Sequence, residues 1–205
     1  PAALAAALGR AMPYWQRHLD AVVLTSPDAR RIPGQVAALA RYRAAVALAP
    51  PAASRAAAFA EWRRLLAEWR TPVRIAHPGT RLDIGGARLT VLAADGAGVL
   101  LRLEHGTTCA VLGHSAGPIA PAFAAGLRPC ALLAFPWERD PRDPLIEALH
   151  PRHIVLTDGY RGDEPVELTY LERAVGGARL YHERIDGTVE WVSDGRRCWV
   201  VPSQS

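Results

Sequence analysis

The sequence predicts a layered α/β protein with mixed sheets, on three observations. Short apolar runs alternate with stretches of helical period towards both ends of the chain. A central stretch instead reads as strand after strand divided by glycine turns. The 205 residues are also enough for one domain with a sizeable buried core. Half the residues are hydrophobic and 21% are charged, an ordinary balance for a folded globular chain. No uninterrupted apolar run approaches the ~18 to 20 residues that span a bilayer, so a membrane-spanning function is not expected of this chain. The alanine-rich N-terminus lacks a basic start, a compact apolar block and a cleavage site, and is not read as a signal peptide.

The elements follow in order. Ala3 to Met12 reads as a helix and Ala21 to Thr25 (AVVLT) as a short apolar strand. Gln35 to Tyr42 has Val36, Leu39 and Ala40 on one helical face, and Ala45 to Leu48 is a second apolar strand, stopped by Pro50-Pro51. Ser54 is placed to cap a helix from Arg55 to Trp69, in which Phe59, Trp62, Leu65, Leu66 and Trp69 recur at core-facing spacing. The segments Val73 to Ala76, Arg81 to Ile84, Arg88 to Ala93, Val99 to Glu104 and Thr108 to Leu112 follow. Glycine turns divide them, which predicts an antiparallel meander. Alternation then resumes with a helix around Ile119 to Ala125, strand Ala131 to Phe135, helix Pro144 to Leu149, strand His153 to Thr157 and helix Val166 to Val175. Strands at Arg179 to Tyr181, Thr188 to Val192 and Arg197 to Val200 finish the chain.

The formal net charge is +4, and every one of the 24 basic residues is Arg. The planar guanidinium fork grips phosphate, so nucleic acid is a permitted partner; a solvated arginine-rich surface is the plainer reading. Cys109, Cys130 and Cys198 form no CxxC pair and no evident disulfide framework. Cys109 and Cys130 lie in apolar strand-like segments, where cysteine is expected to act as a small hydrophobe. Neither a redox site nor a zinc ribbon is expected.

In open α/β sheets ligands gather where strands stop, so the loops after Thr25, Leu112, Phe135 and Thr157 are the places for chemistry. The first reads TSPDARRIPG from Thr25 to Gly34. It resembles the metal-binding loop of the metallo-β-lactamase superfamily in its ComEC-type form, THPDxDHxGG. Ahead of it, AALGRAMPYWQRHLDAVVLT is similar to that family's LGR-x-x-P-x-W-x-x-x-LD-x-VVLTH run, and RYRAAVALAP follows as its L-x-x-Y-x-V-x-x-VL does. GVLLRLEHGTTCAVLGHSA resembles SLVLRLEYGxTSFLLTGDA, and LRPCALLAFPWERD stands in the place of LxADVLKVPHHGS. LHPRHIVLTDGYRGDEP resembles VxPxxAVISVGxxNxYGHP, and ARLYHERIDGTVEWVSDG resembles VYRTDxxGTVxxxSDG. Each block is short; their common order from about Ala3 to Cys198 carries the resemblance.

The resemblance implies a metallo-β-lactamase-like αββα sandwich with mixed sheets, a single domain over residues 1–205. The family's first strands, with its DVGQGDA and LLIDGG blocks, are missing ahead of Pro1. It also implies that the chain is a fragment of a larger membrane-anchored protein. Active members bind two zinc or manganese ions through His and Asp, which activate water and stabilise charge on a phosphodiester. At the corresponding positions the first histidine is Ser26, the next ligand is retained as Asp28, and the following Asp and His are Arg30 and Arg31. The Asp of the family's TGD is His114. The HHGS pair falls within Phe135 to Arg139, which has no histidine, and the last histidine is Glu164.

Asp28, His114 and Glu164 offer lone pairs to a metal, whereas the permanently protonated Arg30 and Arg31 offer none and repel cations. The expectation is therefore no catalytic residues, no bound metal and no cofactor. The two arginines either pair with Asp28, Asp158 or Glu164, or bind an anion such as a DNA phosphate.

Gly113-His114-Ser115-Ala116-Gly117 also fits the spacing of a G-x-S-x-G nucleophile elbow, which keeps a serine hydrolase with Asp158 and His182 as a lesser alternative. His150 and His153 are read as surface or capping residues, and Arg63-Arg64 and Arg196-Arg197 as solvated charge. The implied setting is DNA uptake in natural transformation. The chain would serve there as a structural or DNA-contacting pseudoenzyme, attached to the bacterial inner membrane through its parent protein. Its partners would be DNA, the membrane channel and the parent's N-terminal segments. A metal-dependent nuclease processing incoming DNA is the alternative.

Overall fold

The computed structural model describes residues 2–52, 54–113, 121–136, 144–157 and 177–204. Its contacts divide the chain into two compact units. One takes the residues up to Ile84 together with Val91–Leu100. The other takes Gly85–Thr90, Leu101–Gly113 and the described residues from Pro121 onward.

The first unit is built from crossovers. Strands β1 (His18–Val23), β2 (Arg43–Ala49) and β3 (Val73–Ile75) form a parallel sheet in that order. Parallel neighbours need a long return path, and helices α2 (Ile32–Leu39) and α3 (Ala57–Glu68) supply it. Helix α1 (Ala2–Ala11) precedes them. The α3 stripe behaves as its spacing predicts: Phe59, Trp62, Leu65 and Leu66 are buried, packed with Leu24, Ile32 and Leu39. The Phe59 and Trp62 rings stack with centroids 5.7 Å apart.

Two expectations need correction here. Val73–Ile75 is not part of a meander but pairs parallel with β2, because Ala76 N–H and Ala49 C=O carry the ladder forward. Helix α3 begins at Ala57 with Ala56 in the cap position; the Ser54 hydroxyl instead accepts the Ala56 N–H at 3.3 Å, closing a local turn two residues early.

A seven-stranded sheet runs in the order β10-β9-β8-β7-β6-β5-β4. Strands β4 (Arg81–Ile84), β5 (Ala87–Ala94), β6 (Val99–His105) and β7 (Thr108–Gly113) follow in chain order, joined by turns of two to four residues, as a meander requires. From β7 onward the neighbours β8 (Leu132–Pro136), β9 (His153–Thr157) and β10 (Arg179–His182) are parallel. Their buried side chains include Val111, Leu133, Phe135, Ile154 and Leu156. Helices α4 (Pro121–Ala125) and α5 (Pro144–Leu149) lie between these strands in sequence. A short helix α6 (Glu183–Asp186), not expected from the sequence, follows β10. Strands β11 (Val189–Ser193) and β12 (Cys198–Pro202) close the chain as an antiparallel hairpin. The expected helix Val166 to Val175 lies outside the described residues.

The cysteine expectation is overturned. Cys109 and Cys130 form a disulfide, with Cα atoms 5.2 Å apart. The reason is register: Ala110 pairs with Leu132 across β7 and β8, so Cys109 early in β7 and Cys130 just ahead of β8 meet despite 21 residues of separation. Among the described residues no helix is long and apolar enough to cross a membrane.

Candidate functional site

The loop after β1 is held from beneath by one glutamine. Gln35 donates from Nε2 to the Val23 carbonyl at 2.7 Å, and its Oε1 accepts the Trp62 indole N–H at 2.9 Å. Strand end, α2 and α3 are tied at one point, and the buried indole has its obligatory partner. Leu24 N–H reaches Leu48 C=O, and Thr25 C=O accepts Val99 N–H at 2.8 Å. The loop therefore leaves the sheet on a fixed path.

Ser26 is buried, 1% exposed, and its hydroxyl is used twice: it donates to Ala97 C=O at 3.4 Å and accepts Asp28 N–H at 3.2 Å. The segment behind it is itself fixed, since Asp95 Oδ1 accepts the N–H groups of Ala97 and Gly98. Asp28 then folds the loop back. Its Oδ1 accepts Arg30 N–H at 2.9 Å, and the Arg30 guanidinium lies on both carboxylate oxygens, Nε at 3.1 Å and Nη2 at 2.7 Å from Oδ2. These bonds, the side-chain one first and the backbone one second, pull the Asp28 carboxyl down to about 2; Arg31 adds a weaker attraction. Arg31 stands at the N-cap of α2 with its N–H on Asp28 C=O at 3.0 Å.

Of the candidate residues, the structure brings Ser26, Asp28, Arg30 and Arg31 into this one loop. His114, Ser115, Asp158 and Glu164 lie outside the described residues, as does most of the Phe135 to Arg139 stretch. Chemically the described loop is closed on itself. The carboxylate accepts three N–H donors from one arginine residue, the hydroxyl already donates once and accepts once, and guanidinium has no lone pair to give. Among the described residues no group of three His, Cys, Asp or Glu side chains could hold a metal ion.

His182 is buried at the end of β10, and its N–H reaches Asp186 Oδ2 at 2.7 Å, a bond that starts α6. His153 is half-buried beside Tyr181, whose hydroxyl lies 3.4 Å from its Nδ1. Burial, then the charges of Arg179 and Arg152, lower the His153 pKa from its ordinary value. Sequence reasoning passed over this contact because it depends on the parallel register of β9 and β10, in which Val155 and Tyr181 are partners.

No family profile and no curated protein sequence matches the chain. Solved structures do. The metallo-β-lactamase-fold protein YhfI from Bacillus subtilis matches with a TM-score of 0.54 and 15% identity over 89% of this chain and 77% of its own. A diphosphatase of the PhnP family matches at 0.52 and 16%, over 89% and 74%. CmlA, a diiron β-hydroxylase from Streptomyces venezuelae, matches at 0.52 and 13%; there the overlap is 71% of this chain but only 36% of the CmlA chain. At such identities the likeness establishes the fold alone: a metallo-β-lactamase-like mixed α/β architecture, as the sequence predicts.

Proposed function

We propose that the chain is a metallo-β-lactamase-fold module of a ComEC-type DNA-uptake protein that does not carry out two-metal hydrolysis and instead serves as a structural or DNA-contacting part. One observation carries this reading: the Arg30 guanidinium sits on the Asp28 carboxylate in the loop where active members of the fold hold their metals. An ion pair there supplies internally the positive charge that a metal otherwise brings. Because Arg30 is already committed, the loop's own role is structural, and a DNA contact at Arg30 would have to displace Asp28. The Cys109–Cys130 disulfide supports a domain facing an oxidising compartment.

The test is cleavage of single- and double-stranded DNA by the purified chain with added Mn²⁺ or Zn²⁺. The reading expects no chelator-sensitive cleavage and, if DNA is bound, an affinity that falls steeply with salt. Cleavage that chelator abolishes would overturn it in favour of a metal-dependent nuclease.

A further inference from the structure

The second unit holds a cavity of about 660 Å³ that the loop after β1 has no part in. It is lined by the turn Thr107–Cys109, by Pro129–Ala131 with the disulfide, by His150 and Arg152, and by Arg196–Cys198. Its lining carries three arginines and a histidine, and no Asp or Glu among the described residues. Concave sites of this size suit small ligands.

The arginine-bearing turn is held unusually firmly for an exposed connection. Asp194 Oδ1 accepts the N–H groups of both Arg196 and Arg197, at 2.8 and 2.6 Å. These two bonds, with a weaker pull from the Arg197 charge, hold the Asp194 carboxyl below the usual range. Ser193 Oγ accepts Gly195 N–H and meets Thr108 Oγ1 at 2.6 Å and His105 Nδ1 at 3.1 Å. Thr107 N–H donates to Gly195 C=O at 2.7 Å. Gly106 packs so closely on the Gly195 carbonyl that a Cβ there would collide with it. Meanwhile the guanidinium groups of Arg152, Arg196 and Arg197 make no hydrogen bond or ion pair among the described residues. Guanidinium forks with no carboxylate bonded to them, two of them carried on a backbone-fixed turn, are available to an anion.

We propose that this cavity is an oxyanion site for a phosphate-bearing ligand, gripped by Arg196 and Arg197 from the hairpin turn and by Arg152 from the segment ahead of β9. A carboxylate would occupy one fork; three guanidinium groups match the several oxygens and higher charge of phosphate. The site stands independently of the function proposed above. Metal content and cleavage report on the loop after β1, and anion titration reports on the cavity.

The experiment is calorimetric titration of the full chain at low salt with two probes, pyrophosphate and an oligothymidylate lacking terminal phosphates. Saturable binding of pyrophosphate alone assigns the site to a terminal phosphate. Binding of the oligonucleotide with mutual competition assigns it to a phosphodiester as well, and either supports the site. Arg196→Ala with Arg197→Ala is expected to weaken binding about tenfold or more, and added salt to weaken it further. Arg152→Ala, which leaves the turn untouched, should weaken it too, while Arg63→Ala on α3 leaves it unchanged. Thermal melts confirm that each variant is folded. No saturable binding of either probe, or binding unaltered in folded Arg152→Ala and in the double variant, would overturn the proposal.

Discussion

Two places in the chain carry the same short pattern and do opposite things with it. After β1 the sequence runs Ser26-Pro27-Asp28-Ala29-Arg30-Arg31; between β11 and β12 it runs Ser193-Asp194-Gly195-Arg196-Arg197. In both, a serine hydroxyl accepts the backbone N–H two residues on, and the aspartate accepts the N–H of the first arginine. The difference lies in what else reaches the carboxylate. Gly195 has φ +86, a left-handed conformation that glycine adopts freely, and the tighter turn brings a second backbone N–H, that of Arg197, onto Asp194 Oδ1. With Ala29 in the equivalent place, the Asp28 oxygens are left for the Arg30 guanidinium. One aspartate therefore neutralises its arginine, whereas the other binds two backbone N–H groups through Oδ1 and neither arginine's guanidinium, which leaves those arginines for a ligand. Proximity in sequence says little about which arginines bind anions; the hydrogen bonds of the nearest carboxylate decide.

That comparison can be broken at several points. The largest effect is expected from Trp62→Ala, which empties a fully buried site and removes the indole that holds Gln35 under the Asp28 loop. It should cost about 3–5 kcal/mol in a denaturant titration. Removing the disulfide with Cys109→Ser and Cys130→Ser frees a loop of about twenty residues beside the arginine cavity and should cost about 3 kcal/mol. A reductant titration of the parent protein should give the same loss, and unchanged stability would remove the disulfide from the account.

Gly195→Ala makes the second pattern match the first. A Cβ at Gly195 meets only ordinary contacts, so the cost is the backbone strain of about 1–2 kcal/mol, and anion binding should weaken as Asp194 turns to its arginines. If binding survives unchanged, the glycine is not what separates the two turns.

The smallest effect belongs to Arg30→Ala. Asp28 is held at about 2 in the fold against an ordinary 3.8, so its contribution is complete above pH 4 and is lost as pH falls through 2. Arg30 is exposed, so the pair contributes about 1 kcal/mol or less near neutrality. The stability gap between Arg30→Ala and the parent should shrink as pH falls below 4 and vanish only below pH 2.

Much of the architecture was legible because it rests on period and punctuation. Arg81–Ile84, Pro144–Leu149 and His153–Thr157 fall where glycine turns and proline starts put them, and the α3 stripe is the core it looked like. What escaped depends on pairing. β1 extends back to His18, ahead of its apolar run, because His18 lies in register with Arg43. β3 is three exposed residues whose sequence says nothing about a parallel partner. The disulfide follows from the register of β7 with β8 and not from cysteine spacing. The turn that carries Arg196 and Arg197 is held by Ser193 and Thr107, contacts made across almost ninety residues that no local pattern shows. The loop after β1 was the most legible part of the candidate site, since an arginine two residues after an aspartate can reach it locally.

The most direct test of the central claim is the metal content of chelator-stripped protein, followed by calorimetric titration with Zn²⁺ and Mn²⁺. With Asp28 bound to Arg30, no stoichiometric binding of either ion is expected. Tight binding of one or two ions per chain would contradict it, and would mean that the Asp28 carboxylate leaves its arginine for a working metal centre.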